Sequence, residues 1–170
     1  LQRGDRIPFL LDDTPTFIAA FFGAVRLGMV PVLLNTQTTP DLLNYFLKDT
    51  SAKLALCEAS LLKIFNDEAL SGTGVSQIIV TNGSASSALQ IEAAQFLAGL
   101  PEALDCADTS ADDMAFWMYS SGSTGRPKGV VHVHHDMFYT EQSYARHILK
   151  LSSSDTVFSI PKMYFAYGFG

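Results

Sequence analysis

Residues 6–34 read RIPFLLDDTPTFIAAFFGAVRLGMVPVLL, and the order of signals within this stretch sets the fold class. Arg6 to Leu11 is a short apolar run of strand length. Asp12-Asp13-Thr14-Pro15 follows as a helix start, with Thr14 at the N-cap and Pro15 at the first helical position, where its missing N–H costs nothing. Phe17, Ile18, Phe21, Phe22 and Val25 then recur at helical spacing until Gly28, which is placed to end the helix. Val30 to Leu34 is a second strand.

The same unit repeats outward. Thr39-Pro40 opens a helix carrying Leu42, Leu43, Phe46 and Leu47. Leu54 to Cys57 is a third strand, Ser60 to Leu70 a third helix and Gln77 to Thr81 a fourth strand. Strands separated by helices are joined by crossovers, so the expected fold class is α/β, with mostly parallel sheets and flanking helices. Gly72-Thr73-Gly74 and residues 82–87 read as loops, and residues 88–98 as helical. The polar, acidic stretch Pro101 to Asp113 reads as a connector between a first α/β subdomain, about 1–100, and a second segment, about 114–170.

Of the 170 residues, 48% are hydrophobic and 16% charged, with a formal net charge of −6. Soluble domains carry about 25% charged residues, so the chain is poor in charge, which suggests surface covered by another part of a larger protein or by a second copy in a homo-oligomer. The opening at Leu1 and the ending Tyr167-Gly168-Phe169-Gly170 likewise read as an excerpt. This balance excludes disorder, and no apolar run approaches a membrane span. Residues 64–125 hold 8 acidic and no basic side chains, whereas residues 126–170 hold 5 basic and 3 acidic ones. An acidic chain of this kind lacks the basic patch that nucleic acid requires, and the acidic block reads as a solvated face. Cys57, in an apolar run, reads as a buried small hydrophobe and Cys106 as a loop thiol; two cysteines make no disulfide framework and fit a reducing, cytoplasmic setting.

The chemistry is concentrated after residue 114. Ala115-Phe116-Trp117-Met118-Tyr119 is a strand candidate that runs into Ser120-Ser121-Gly122-Ser123-Thr124-Gly125-Arg126-Pro127-Lys128-Gly129. Glycines let backbone N–H groups approach phosphate oxygens, hydroxyls add donors and a lysine adds charge. A flexible Ser/Gly turn needs no Pro-Lys-Gly ending. The loop is not a Walker A motif, which counted from Gly122 needs Gly at 127 and Ser or Thr at 129, where Pro127 and Gly129 stand. Gly129-Val130-Val131-His132-Val133 reads as a strand, so the geometry is strand–loop–strand.

The run Tyr119 to Val130 resembles the phosphate loop of the acyl-adenylate-forming enzymes: acyl- and aryl-CoA ligases, firefly luciferase and peptide-synthetase adenylation domains. Their signature, Tyr-Thr-Ser-Gly-Ser-Thr-Gly-x-Pro-Lys-Gly-Val, is matched with Ser120 in place of Thr. Gly4-Asp5-Arg6-Ile7 and Gly28-Met29-Val30-Pro31-Val32 are similar to the early part of the large N-terminal domain of that family. The ending Lys162-Met163-Tyr164-Phe165-Ala166-Tyr167-Gly168-Phe169-Gly170 resembles the aromatic motif of benzoate–CoA ligases, as do Trp117 to Lys128 and the strand Thr156-Val157-Phe158-Ser159. The resemblance implies ATP with Mg2+ and coenzyme A as co-substrates: an aryl carboxylate attacks the α-phosphate, pyrophosphate leaves, and the coenzyme A thiol displaces AMP. It implies that Ser120, Ser121, Ser123 and Thr124, with the N–H groups of Gly122 and Gly125, hold phosphate. Lys128 either contacts phosphate or fixes the loop. It implies an aryl slot at Phe165, Ala166, Tyr167 and Gly168. It also implies that the Mg-holding Glu, the ribose-binding Asp, the adenylation lysine and the C-terminal domain lie outside these residues, so that no catalytic residue is assigned within them.

Other readings stand beside this one: another acyl-CoA ligase or adenylation domain, or a scaffold of the same kind that does not catalyse. His132-Val133-His134-His135-Asp136 partly resembles the metal-binding run of metallo-β-lactamase-like hydrolases, but Met137 stands where a last His is needed, so no metal site is expected. The better reading starts a helix at His134 or His135 that runs to Ile148, with Met137, Tyr144, Ala145 and Ile148 facing the core. The purified 170-residue chain by itself is expected to make no aryl-CoA; benzoyl-CoA formation by it, followed by chromatography, would contradict this division of labour.

Overall fold

The computed structural model of the chain describes residues 1–121 and 125–169. Within them are strands β1 (Arg6–Leu10), β2 (Val30–Leu33), β3 (Leu54–Glu58), β4 (Gln77–Thr81), β5 (Gln90–Glu92), β6 (Met114–Ser120) and β7 (Lys128–Val133). They form one sheet in the order β5-β4-β3-β1-β2-β6-β7, parallel throughout except for the antiparallel β6–β7 hairpin. The α/β expectation and the strand–loop–strand geometry both hold.

Helices α1 (Pro15–Arg26) and α2 (Pro40–Asp49) cover opposite faces of this sheet. Alternate strand side chains point to opposite faces, so Ile7, Phe9 and Leu11 meet Phe17, Phe21 and Ala24 of α1, while Leu10 and Leu34 lie with Leu43, Phe46 and Leu47 of α2. The division continues on β6, which pairs with β2 through Val32–Trp117 and Leu33–Met118. Phe116 and Met118 join the α1 side, and Trp117 and Tyr119 pack on the α2 side. Gly28 ends the α1 unit with φ +71°, a conformation that favours glycine.

Several elements depart from the sequence pattern for identifiable reasons. The helix expected over Ser60–Leu70 is a 3-10 segment, Ala59–Ile64, followed by α3 (Asp67–Leu70). Asn66 starts the second piece afresh by accepting a bond from the Ala69 N–H at 3.0 Å. Residues 88–98 split into β5 and α4 (Ala93–Leu97), because the edge of β4 offers a ladder that Gln90–Glu92 takes up. Helix α5 (His134–Thr140) begins at His134 as expected, then widens into a π-helical stretch over Glu141–Ile148. Met137 packs on the core, but the wider winding breaks the 3.6-residue register, and Tyr144 and Ile148 are exposed. Thr156–Ser159 is not a strand: it joins no ladder of the sheet among the described residues, and Val157 and Phe158 face solvent. Thr14 stands at the N-cap of α1 without a side-chain cap bond, whereas Thr39 accepts from Leu42 N–H at 3.4 Å to cap α2.

Asp67, Glu68, Glu102, Asp105, Asp108 and Asp112 of the acidic block are exposed. No described helix is long and apolar enough to cross a membrane. Cys57 is fully buried on β3, and that burial pushes its thiol up to about 12, whereas Cys106 is exposed. A thiol-titrating reagent at pH 8 is therefore expected to modify Cys106 at once and Cys57 only after denaturant is added; immediate reaction of both would show that the α2-side core is open.

Candidate active site

The carboxyl ends of β2 and β6 lie side by side, and the chain leaves them in opposite directions. From β2 it returns across β1 to β3; from β6 it turns outward into β7. A crevice opens where connections diverge in this way. Here it is a cleft of about 500 Å³ lined by Asn35 and Thr38 beyond β2, by Ser120, Ser121 and Pro127 of the Gly-rich loop, and by Tyr164, Phe165 and Ala166. Thr38 Oγ1 is buried without a hydrogen-bond partner among the described residues, so the cleft offers an unmet polar atom.

Helix α2 holds the stem of the loop. Tyr45 Oη donates to the Pro127 carbonyl at 3.0 Å, and the Arg126 guanidinium lies 5.1 Å from the centre of the Tyr45 ring. Arg126 also lies 3.7 Å from Asp41 Oδ1. On the incoming side Tyr119 Oη donates to Asp49 Oδ2 at 2.6 Å; burial first, then the Asp49 carboxylate, raises the phenol's pKa. Ser120 pairs with Lys128 across the hairpin mouth, and both are exposed. Gly125 has φ +134°, which L side chains rarely adopt. Gly122, Ser123 and Thr124 lie outside the described residues. Among the described ones, Ser120, Ser121 and Pro127 line the cleft, and Lys128 and Gly125 do not.

The aromatic segment reaches the same place through Asp12 and Asp13, just beyond β1. Met163 N–H donates to Asp13 Oδ1 at 3.1 Å, and Lys162 Nζ lies 3.8 Å from Asp12 Oδ1. Tyr164 is buried and accepts from Thr36 Oγ1 at 3.4 Å. Phe169, at the end of the short helix α6 (Ala166–Phe169), packs on Phe21 and Phe116 with ring centres 4.9 and 5.1 Å away. A Cβ at Gly168 would collide with the carbonyl oxygens of Pro161 and Lys162, so the turn admits glycine there. Of the residues expected in an aryl slot, Phe165 lines the cleft, Ala166 lines both this cleft and a second cavity, and Gly168 lines the second cavity alone. Tyr167 is 85% exposed and lines neither.

That second cavity, about 330 Å³, lies between α1, α5 and α6. Its walls are largely Phe21, Phe22, Phe116, Met137, Met163 and Phe169, with His132 and Asp136 as polar members. His132 does not share a strand face with His134, which starts α5. Among the described residues no three His, Cys, Asp or Glu side chains gather as a metal cluster.

Ser120 and Ser121, at the end of a parallel strand, thus share a cleft with the aromatic segment. The family model described as AMP-binding enzyme matches residues 1–170 in full. The chain belongs to that family. As an AMP-binding chain it is 39% identical over 170 residues to a benzoate–CoA ligase of Thauera aromatica, covering 100% of itself and 32% of that protein. A 4-hydroxybenzoate–CoA/benzoate–CoA ligase of Rhodopseudomonas palustris is 38% identical over the same length, with 31% of it covered. Among solved structures, a benzoate CoA ligase from Burkholderia xenovorans LB400 superposes with a TM-score of 0.86 at 35% identity, covering 99% of this chain and 32% of that one. The anthranilate CoA ligase AuaEII, solved with anthranoyl-AMP, superposes at 0.93 with 29% identity, over 100% of this chain and 33% of its own. The chain thus spans about a third of the length of the relatives it matches.

The sequence pattern did not show the supports of the site: Tyr45, Thr38 and the reach of Asp12 and Asp13. The Asp12-Asp13 pair was visible as a helix start, but its reach to residues 162 and 163 depends on tertiary closure. Replacing Tyr45 with Phe removes the bond to Pro127 and should cost about 0.5–1.5 kcal/mol. Urea unfolding of the variant checks this, and unchanged stability would show that α2 does not hold the loop.

Proposed function

We propose that the protein carrying this AMP-binding chain activates an aryl carboxylate, benzoate or a substituted benzoate, with ATP and passes the acyl group to coenzyme A. The reading rests on one observation: Ser120 and Ser121 line the same cleft as Tyr164, Phe165 and Ala166. The similarity to benzoate–CoA ligases supports the choice of acid.

A carboxylate is a poor acylating agent until one oxygen becomes part of a good leaving group. Its oxygen attacks the α-phosphorus of MgATP, the bond to the bridging oxygen breaks, and pyrophosphate departs; the coenzyme A sulfur then takes the acyl carbon and AMP leaves. Such a reaction depends on positioning and on stabilising phosphate charge. Ser120, Ser121, Ser123 and Thr124, with the N–H groups of Gly122 and Gly125, bind phosphate in this reading, while Lys128 neutralises charge or braces the hairpin. Thr38 Oγ1, unpartnered in the cleft, suits a polar group of the nucleotide. Phe165 and Ala166 meet the ring in the cleft, where it gains from offset and edge-on aromatic contacts, while Gly168 lines the adjoining chamber and the exposed Tyr167 lines neither. Residues of about 1–100 act as the first α/β subdomain and about 114–170 as the segment bearing both subsites. A cytoplasmic setting fits ATP and coenzyme A.

Exchange of labelled pyrophosphate into ATP, driven by benzoate, tests this reading. Replacing Gly125 with Val should abolish exchange, because φ +134° is a backbone conformation that a side chain would strain. Full exchange in that variant, or a preference for hexanoate over benzoate, would reject the phosphate or the aryl assignment respectively.

A further inference from the structure

His132 occupies a place that the reaction outlined above does not use. Three residues line both cavities: Met118, His132 and Ala166. They form the partition between the cleft that holds the loop serines and the apolar chamber behind it. Among the three, His132 alone has a side chain that can hydrogen-bond well.

Its ring is held on two sides. Phe116, its partner across the β6–β7 ladder, stacks on it with centres 4.5 Å apart and planes inclined by 8°. Asp136 Oδ2 lies 3.2 Å from His132 Nδ1, and the same oxygen accepts the Val133 N–H at 3.2 Å. Asp136 Oδ1 lies 3.2 Å from His135 Nε2, so the carboxylate is itself fixed. A carboxylate accepts only, so Nδ1 carries the proton of this bond. In the neutral ring Nε2 is then an acceptor, and it bonds to no described residue.

We infer that His132 is a specificity-determining residue that accepts a hydrogen bond from a hydroxyl or amino substituent on the aryl ring. This rests on the aryl-activating function proposed above and deepens it. A bare ring seated against the partition strips water from Nε2 and returns nothing, whereas a phenol or aniline donor replaces the lost bond. A methoxy group of similar reach has no proton to give. The substrate class is therefore a hydroxy- or aminobenzoate, ahead of benzoate itself. Asp136 serves as a positioning residue by fixing the tautomer.

The test measures pyrophosphate exchange by the intact protein with benzoate and with its hydroxy-, amino- and methoxy-derivatives at each ring position. At one ring position at least, the hydroxy or amino acid should exceed both benzoate and the methoxy acid in kcat/KM by roughly three- to tenfold, in line with one neutral hydrogen bond. His132→Leu should bring those ratios toward one, and His132→Gln, which keeps an acceptor oxygen, should restore part of the preference. If benzoate and methoxybenzoate match the donor-bearing acids in the unaltered protein, or if His132→Leu keeps the ratio, the role of His132 is overturned while aryl activation stands. If no aryl acid drives exchange, both readings fall. Where His132→Leu fails to fold, the absence of any donor preference in the unaltered protein still overturns the role, and His132→Gln carries the supporting comparison.

Discussion

Strand β6 has to be buried on both faces while its last residue stays open to solvent. Phe116 and Met118 are committed to the α1 side and Trp117 and Tyr119 to the α2 side, and β2 and β7 take up its two edges. Ser120, one residue further, is exposed at the mouth of the cleft. A loop carried by a strand clamped in this way starts from a fixed point, and binding then costs less ordering than it would on a free loop. The remaining features serve that point. Helix α2 braces the returning arm through Tyr45, and the two aspartates beyond β1 draw the aromatic segment to the same crevice.

The two halves of the proposed chemistry need different surroundings, and the fold brings both to one cleft. Phosphate calls for backbone N–H groups and hydroxyls in an open, polar mouth, which the carboxyl ends of parallel strands supply. An aryl ring calls for apolar walls with few, well-placed polar atoms. The cleft has both characters, with Ser120 and Ser121 on one side and Tyr164, Phe165 and Ala166 on the other, and the apolar chamber lined by Phe21, Phe116 and Phe169 adjoins it at Met118, His132 and Ala166. The exposed Phe138, Tyr139, Phe158 and Tyr167 lie in the same later part of a chain that spans about a third of its relatives' length.

The sequence was most legible where burial and local chemistry agree. Strands β1 to β4 are apolar on both faces, and the Thr-Pro starts of α1 and α2 mark their first turns. The glycine-rich hairpin was legible because so few backbones accept that composition. Legibility failed where a segment's state is decided by a remote partner. Gln90–Glu92 is a strand only because β4 has a free edge, and Thr156–Ser159 is not one because no described strand adjoins it. The stretch after Thr140 reads as helical by spacing, yet its winding moves Tyr144 and Ile148 out of the core. The bond between Asp13 and residue 163, and the stacking of His132 on Phe116, join positions that no local pattern relates.

The central claim is that nucleotide and aryl acid occupy one continuous site that includes both the hairpin loop and the aromatic segment. Calorimetric titration of the protein carrying this chain with a stable aryl-adenylate mimic, its phosphate replaced by a sulfamoyl group, tests that most directly, with AMP and benzoate titrated alone for reference. The mimic should bind on the order of a hundredfold or more tightly than either half, because joining two ligands of one site makes the second contact intramolecular. A mimic that binds no more tightly than the better of its halves would mean that the two subsites do not belong to one site, and the account would fail.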